Sequence, residues 1–493
     1  MSIFESHKQT INIPMIFRVI GILLIFEALF MCLPLIVALI YHESDTKIFG
    51  LTAAFTLVTG CLLGFVMKVD HRDMGKREGF LLTALVWVVF SFFGMAPFIF
   101  GSPQLCVSDA FFESMSGFTT TGASVLSDDV EISHAIHFWR SLMQWIGGMG
   151  IILFTLAVLP MLNSSGGMQM FNAEVTGITH DKLKPRVSQT AKRLWAVYTA
   201  LTLALIFLLW FGPMDFFDSI CHALSTISTG GFSTRSESIS AWNSMYVKIV
   251  LTIFMFMGGI NFALLYKGVT GHIRSLWENQ AFKLYVFTTA LVFCIFAVTL
   301  FINHNGNSFE SLVIDPIFQV VSMMTSTGYT VIGFENWGVF LLMICIILMF
   351  FGACAGSTSG GAKLDRALVV LKNVRNEVYH VLHPNSVLSV KIGNRILSPE
   401  IVSKVLAFII LYGVVIIVGA LLLTMINVPL VDSLFASFSC VSNAGVSAVV
   451  TGAGSTYEIF GTAGKWILSV LMLIGRLELF TVIVLFTPGF WRR

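Results

Sequence analysis

Charge is scarce in this sequence. Only 11% of the 493 residues are Asp, Glu, Lys or Arg, and the 29 basic and 27 acidic residues nearly cancel to a net +2. That balance excludes the basic surface with which a nucleic-acid binder neutralises phosphates. Cysteine is thin too. The eight residues at 32, 61, 106, 221, 294, 345, 354 and 440 are scattered mostly through apolar runs, with no CxxC or Cys/His cluster. This excludes a disulfide framework and a thiolate metal centre, and the thiols read as small buried hydrophobes. No HExxH, GxSxG or phosphate-binding GK[ST] loop is present, and His380 and His383 lack acidic or thiol partners at ligand spacing. His222 reads as a packed or hydrogen-bonded residue rather than a metal ligand. No convergent group of His, Asp or Ser can be assembled for an enzyme inside a membrane.

What the chain has instead is apolar length. Its hydrophobic fraction is 56% and its mean hydropathy +0.86, with several runs long enough to cross a bilayer. The first run, at 15–41, is too long for a signal-peptide core and is followed by another span, so it reads as retained.

The strongest pattern is a unit that occurs four times. Asp109 and Gly122, Asp218 and Gly231, Asp315 and Gly328, Asp432 and Gly445 are each thirteen positions apart. The segments DAFFESMSGFTTTG, DSICHALSTISTGG, DPIFQVVSMMTSTG and DSLFASFSCVSNAG are mainly apolar and end in small or hydroxylated residues before the glycine. Aspartate is a good helix N-cap, about two and a half helical turns fit behind it, and glycine takes a positive φ readily. Each unit therefore predicts a short pore helix capped by its aspartate, then an extended strand.

In chain order, hydropathy predicts two leading helices in 1–70, then four cycles of span, pore helix and span in 71–180, 181–280, 281–395 and 396–493. The expected fold is all-α and polytopic, with ten spans and four half-spanning pore helices, the repeats pseudo-symmetric about a central pore. The second span of the first cycle is expected to reach about 162, that of the second about 266, and that of the fourth to cover 465–486. Loops at 71–77, 181–193, 267–283 and 363–395, with the C-terminus, hold most of the Lys and Arg and fall on one side. The positive-inside rule makes that side cytoplasmic, with both termini. The opposite loops carry acid at Glu43, Asp45, Asp128, Asp129, Glu131, Glu237, Glu335 and Glu458, which either concentrates cations at an outer vestibule or is simply solvated.

Four such units can close around an axis, so that one chain imitates a tetrameric channel. The lining would come from Thr120, Thr121 and Gly122; Thr229, Gly230 and Gly231; Ser326, Thr327 and Gly328; and Asn443, Ala444 and Gly445. Their backbone carbonyls can replace a cation's hydration shell, and the C-terminal ends of the pore helices repel anions. With one dependable glycine per strand, discrimination among alkali cations is expected to be weaker than in a strand with two.

The second span of the third cycle is interrupted by GACAGSTSGG (352–361). Irregular backbone at membrane depth is tolerated only where protein or a water-filled cavity satisfies it, so this loop is expected beneath the strands along the ion path. Arg476 lies in LMLIGRLELFTVIVLF, where an ionised side chain costs at least ~2.5–3.5 kcal/mol unless it finds a cavity or partner. Glu478 is on another helix face. The guanidinium either pairs with a different helix or projects into the inner pore and repels cations.

Besides the four glycine units, the sequence carries REGFLL (77–82), DAFFES (109–114), QWIGGMGIILF (144–154), FGACAGSTSGGAK (351–363), HPNSV (383–387), KIGNR (391–395) and GRLELFTVIVLFTP (475–488). In these it resembles the Trk/Ktr/HKT superfamily of potassium transporters over nearly its whole length, and its two unpaired leading spans look like those of Trk membrane subunits. The resemblance implies potassium uptake across a bacterial inner membrane, with K+ at the twelve strand residues named above and no organic cofactor in this chain. It also implies a gate built from Gly352, Gly356, Ser357, Thr358, Ser359, Gly360 and Gly361 together with Arg476. Further implications are a homodimer and a cytosolic ring (TrkA) of RCK-type domains that bind NAD(H) and ATP or ADP. No soluble domain here is large enough to sense a signal, and the basic segment 363–395 is continuous with the loop. The fourth unit, SNAGVS, departs from the SN-x-G-P-G form of many relatives. Two modes of transport stay open: an uncoupled gated pore, and symport with H+ or Na+, for which Glu113 is the nearest intramembrane carboxylate.

Overall fold

The computed structural model describes residues 11–66, 75–126, 131–150, 187–303, 308–331, 338–393, 395–446 and 456–491. Outside them fall most of the first two basic loops, the helix expected beyond 150, the acids Asp128, Asp129 and Glu335, and Arg492 with Arg493. The described chain is helical apart from one two-residue pairing of Lys391–Ile392 with Arg395–Ile396. Seven helices are long and apolar enough to cross a membrane, or eight if Met245–Gly258 and Phe262–Val269, bent by 109°, count as one. Of the other expected spans, Gly338–Phe351 is 14 residues long and His134–Gly148 runs into the segment outside the description.

The four repeats are plain in the backbone. The pore helices are Val107–Phe118, Phe216–Ile227, Asp315–Met324 and Leu430–Val441. Each packs against the first helix of its own repeat, Lys76–Gly94, Val187–Trp210, Gln280–Ile302 or Pro399–Thr424. Each also packs against the second helix of the preceding repeat: Phe216–Ile227 on His134–Gly148, Asp315–Met324 on Met245–Gly258, Leu430–Val441 on Gly338–Phe351. Val107–Phe118 packs on Gly461–Arg476, and that last contact closes the ring. The leading helices Ile13–Ile40 and Thr46–Cys61 pack on each other, and the first of them also on the first repeat.

The unit aspartates do not cap. The N-cap positions are Cys106, Asp215, Ile314 and Pro429, and the aspartates stand inside the first helical turn. There a carboxylate faces the positive helix end, and it also reaches sideways: Asp315 meets Lys248 Nζ at 2.7 Å and Asp109 meets Lys465 Nζ at 2.7 Å. Both lysines belong to the preceding repeat's second helix, so in repeats 1 and 3 the acid clamps neighbouring repeats together, whereas Asp218 accepts from Thr234 Oγ1 of its own repeat at 2.6 Å.

The interruption expected only in the third repeat recurs in others. The second helix of repeat 2 stops at Gly258 and resumes at Phe262. That of repeat 4 stops at Arg476, because Glu478 takes a left-handed φ of 52° and binds Arg366 at 2.5 Å. Glu478 thus pairs with another helix, and 465–486 is not one continuous span.

Candidate functional site: four glycine strands and the loop beneath them

Each pore helix ends in the same way. The amide of Thr121 donates to Ser116 O and that of Thr120 to Gly117 O, at 2.9 and 3.0 Å. The pairs Gly230 and Thr229, Thr327 and Ser326, and Ala444 and Asn443 repeat the pattern at 2.9–3.2 Å. This is a Schellman closure with a non-glycine residue in the left-handed position: Thr120, Thr229, Ser326 and Asn443 have φ of 55°, 54°, 53° and 50°. Two residues on, Gly122, Gly231, Gly328 and Gly445 are again left-handed, at 82°, 81°, 82° and 63°.

The glycines show why a side chain is excluded. A Cβ on Gly122 would lie 2.0 Å from the carbonyl oxygen of Gly230, on Gly231 1.8 Å from that of Thr327, on Gly328 2.1 Å from that of Ala444, and on Gly445 2.0 Å from that of Thr121. Each strand touches the next and the fourth touches the first, so the twelve predicted residues form one closed ring. Only the glycines are partly open; the other eight residues are buried. All four glycines border an open cavity of about 360 Å³. Its described lining includes Arg140, Arg235 and His137 and no carboxylate; of the acids that an outer vestibule would use, Asp128, Asp129 and Glu335 lie outside the described residues. Glu43 and Asp45 are used elsewhere: Glu43 accepts from the amides of His134 and Ala135 at 2.6 and 3.1 Å, and Asp45 from Ser102 N at 3.2 Å and from Ser133 Oγ.

The 352–361 loop lies against the opposite, helix-end side of this ring. Gly360 N donates to Ser326 Oγ at 2.5 Å, Thr358 Oγ1 to Ile227 O at 3.1 Å, and a Cβ on Gly360 would sit 1.9 Å from Ser442 O. The loop therefore touches the second, third and fourth repeats. It is also pinned to the bend of repeat 2: Cys354 N to Gly259 O at 3.1 Å, Asn261 Nδ2 to Ala355 O at 2.7 Å, Phe262 N to Gly356 O at 3.0 Å. Asp365 accepts from Ala355 N at 2.6 Å, and Lys363 Nζ donates to Ser359 O. Glycine richness predicts a loosely held segment; these bonds make it a held one.

Arg476 meets the loop directly. Its guanidinium donates to Thr358 O at 3.2 Å, to Gly147 O at 2.5 Å and to Gly148 O at 3.1 Å, joining repeats 1, 3 and 4. Among the described residues its guanidinium is spread over these three carbonyls.

Three residues that the sequence singled out for other parts support the strands. Glu113, fully buried, accepts from Arg140 Nε at 2.7 Å, Ser124 Oγ at 3.1 Å and Val125 N at 3.1 Å, tying the first strand's exit to its pore helix. At the matching place in repeat 2, His222 bonds Asp218 O at 2.8 Å and Ser233 Oγ at 3.0 Å. Asn443 Nδ2 donates to Thr121 Oγ1 at 2.9 Å, fastening strand four to strand one. The sequence signal was available: Glu113 and His222 both fall four places after the unit aspartate. Among the described residues no cluster of His, Cys, Asp or Glu could hold a metal ion.

A helical membrane protein whose single chain wraps four pore units into one ring of backbone carbonyls is, as a class, a cation transporter. The chain belongs to the TrkH family of cation transport proteins, whose model matches residues 46–492. That family is one of transporters, not enzymes. The chain is 38% identical over 478 residues to the Trk system potassium uptake protein TrkH of Escherichia coli K12, covering 96% of this chain and 98% of that one. To the TrkH of Vibrio parahaemolyticus it is 35% identical over 485 residues, 97% and 99% of the two chains. The crystal structure of the potassium transporter TrkH from Vibrio parahaemolyticus superposes with a TM-score of 0.89 at 33% identity, covering 98% of this chain and all of that one.

Proposed function

We propose that this chain takes up K+ across a bacterial inner membrane through a gated pore, and that the glycine ring is its selectivity filter. The observation that carries this reading is the ring of contacts from Gly122 to Gly230, Gly231 to Thr327, Gly328 to Ala444 and Gly445 to Thr121. A dehydrated cation needs several carbonyls converging at one level, and four strands locked edge to edge supply them. The loop at 352–361 with Arg476 is the gate, since it lies against the ends of the pore helices of repeats 2, 3 and 4 and is tied through Arg476 to repeat 1. Ten spans, both termini in the cytoplasm, a homodimer and regulation by a cytosolic nucleotide-binding ring complete the proposal. Segment 363–395 is the surface for the ring, because it continues the gate and projects exposed helix. Cross-linking from it should recover such a ring.

An uncoupled pore is favoured over symport. Glu113, the carboxylate that symport would use, is fully engaged by Arg140, Ser124 and Val125. The test is uptake of rubidium into liposomes holding the purified chain. Uptake should follow membrane potential and the K+ gradient and ignore an imposed pH or Na+ gradient. A strict requirement for either gradient would replace the pore with symport.

A further inference from the structure

The QWIGG motif places Gln144 three residues before Gly147, and the second helices of the other repeats keep the spacing with methionine: Met255 before Gly258, Met349 before Gly352, Met472 before Gly475. All four side chains are fully buried. Only Gln144 can donate a hydrogen bond. It reaches across the repeat boundary to strand two. Its Nε2 donates to Gly230 O at 2.8 Å, while its Oε1 accepts from Ser225 Oγ at 2.7 Å and from Phe232 N at 3.2 Å. Gly231 is thus bracketed on both sides by one side chain. Gly230 O is also one of the four carbonyls that abut the ring glycines. Among the described residues the other three, on Thr121, Thr327 and Ala444, accept no hydrogen bond.

We propose that Gln144 is a positioning residue that sharpens the preference for K+ over Na+ by holding the Gly230 carbonyl. This rests on the filter reading above and deepens it. An amide N–H occupies one of that carbonyl's two lone pairs and lowers the field it offers a cation. A weaker field favours the ion that surrenders its water more easily, which is K+. The ring is therefore fourfold in shape and not in strength: one quarter is softened from behind by a residue that never touches the ion.

Gln144→Met gives repeat 1 the residue the other three use, at similar volume, so the packing is kept. The readout is competition of Na+ and of K+ against rubidium uptake in liposomes. The K+ over Na+ preference should fall roughly three- to tenfold, the range of one hydrogen bond. A monodisperse Gln144→Met protein with wild-type preference overturns the proposal. Should that variant not fold, Ser225→Ala carries the test, since it removes an anchor that holds the amide against Gly230. A lower preference supports the role of Gln144 and an unchanged one overturns it. Gly328→Ser in the same assay separates the two levels of argument. If it lowers the preference while Gln144→Met does not, only the role of Gln144 is lost; if neither changes it, the filter reading fails as well.

Discussion

Replacing Arg476 by alanine removes a side chain that joins the loop to the first repeat. Of its three bonds among the described residues, those to Gly147 O and Gly148 O hold elements outside the loop. The bond to Thr358 O is the one that must break on opening. A hydrogen bond from a charged donor is worth ~1.5–3 kcal/mol, so its loss shifts the closed-to-open balance about ten- to hundredfold. A bare charge at ~4 Å in a medium of effective dielectric near 20 would oppose a cation by roughly 4 kcal/mol. Three carbonyls already take up much of that charge, so the latch is the larger part. Arg476→Lys divides the two contributions, because an ammonium keeps the charge without the planar fork that reaches several carbonyls. The assay is basal rubidium uptake by folded, monodisperse protein in liposomes without any regulator. Arg476→Ala should leak about ten- to hundredfold above wild type, and Arg476→Lys should leak to a lesser degree. Basal uptake of Arg476→Ala equal to wild type would refute the latch, and a tight Arg476→Lys beside a leaky Arg476→Ala would assign closure to charge alone.

Gly231→Ala places a Cβ 1.8 Å from Thr327 O, so the ring must spread; the K+ over Na+ preference, read by cation competition, should fall at least about tenfold, in keeping with ~1–3 kcal/mol of overpacking strain. Lys248→Met strips the partner from Asp315 at 2.7 Å and Glu310 at 2.8 Å. Leaving a buried carboxylate unpaired costs about 3–5 kcal/mol, so the melting temperature in detergent should drop clearly, and adding Asp315→Asn should recover part of it.

What was legible in the sequence was whatever repeats locally. Four glycines at one spacing after an apolar half-helix announce a positive φ in the same place four times, while the helices themselves close two residues earlier on Thr120, Thr229, Ser326 and Asn443, whose left-handed backbone no glycine marks. The loop at 352–361 announced itself by composition. The aspartates misled for a physical reason: the residue type that caps helices also suits their first turn, and for Asp315 and Asp109 the partners there are lysines 67 and 356 positions away. Gln144, 86 residues from Gly230, and Arg476, 118 from Thr358, act on backbone carbonyls. A carbonyl is present at every position, so no pattern in one sequence marks which of them is addressed.

The contact between Lys465 and Asp109 also sets an order of events. The chain enters a membrane from its N-terminus, and the partner that seals the first pore helix is made 356 residues after it. Until Gly461–Arg476 is in place the ring has an open seam, and three finished repeats cannot encircle an ion. A protein that must never leak during its own manufacture therefore completes its ring with the same helix that carries Arg476, the arginine bonded to the loop at Thr358 O.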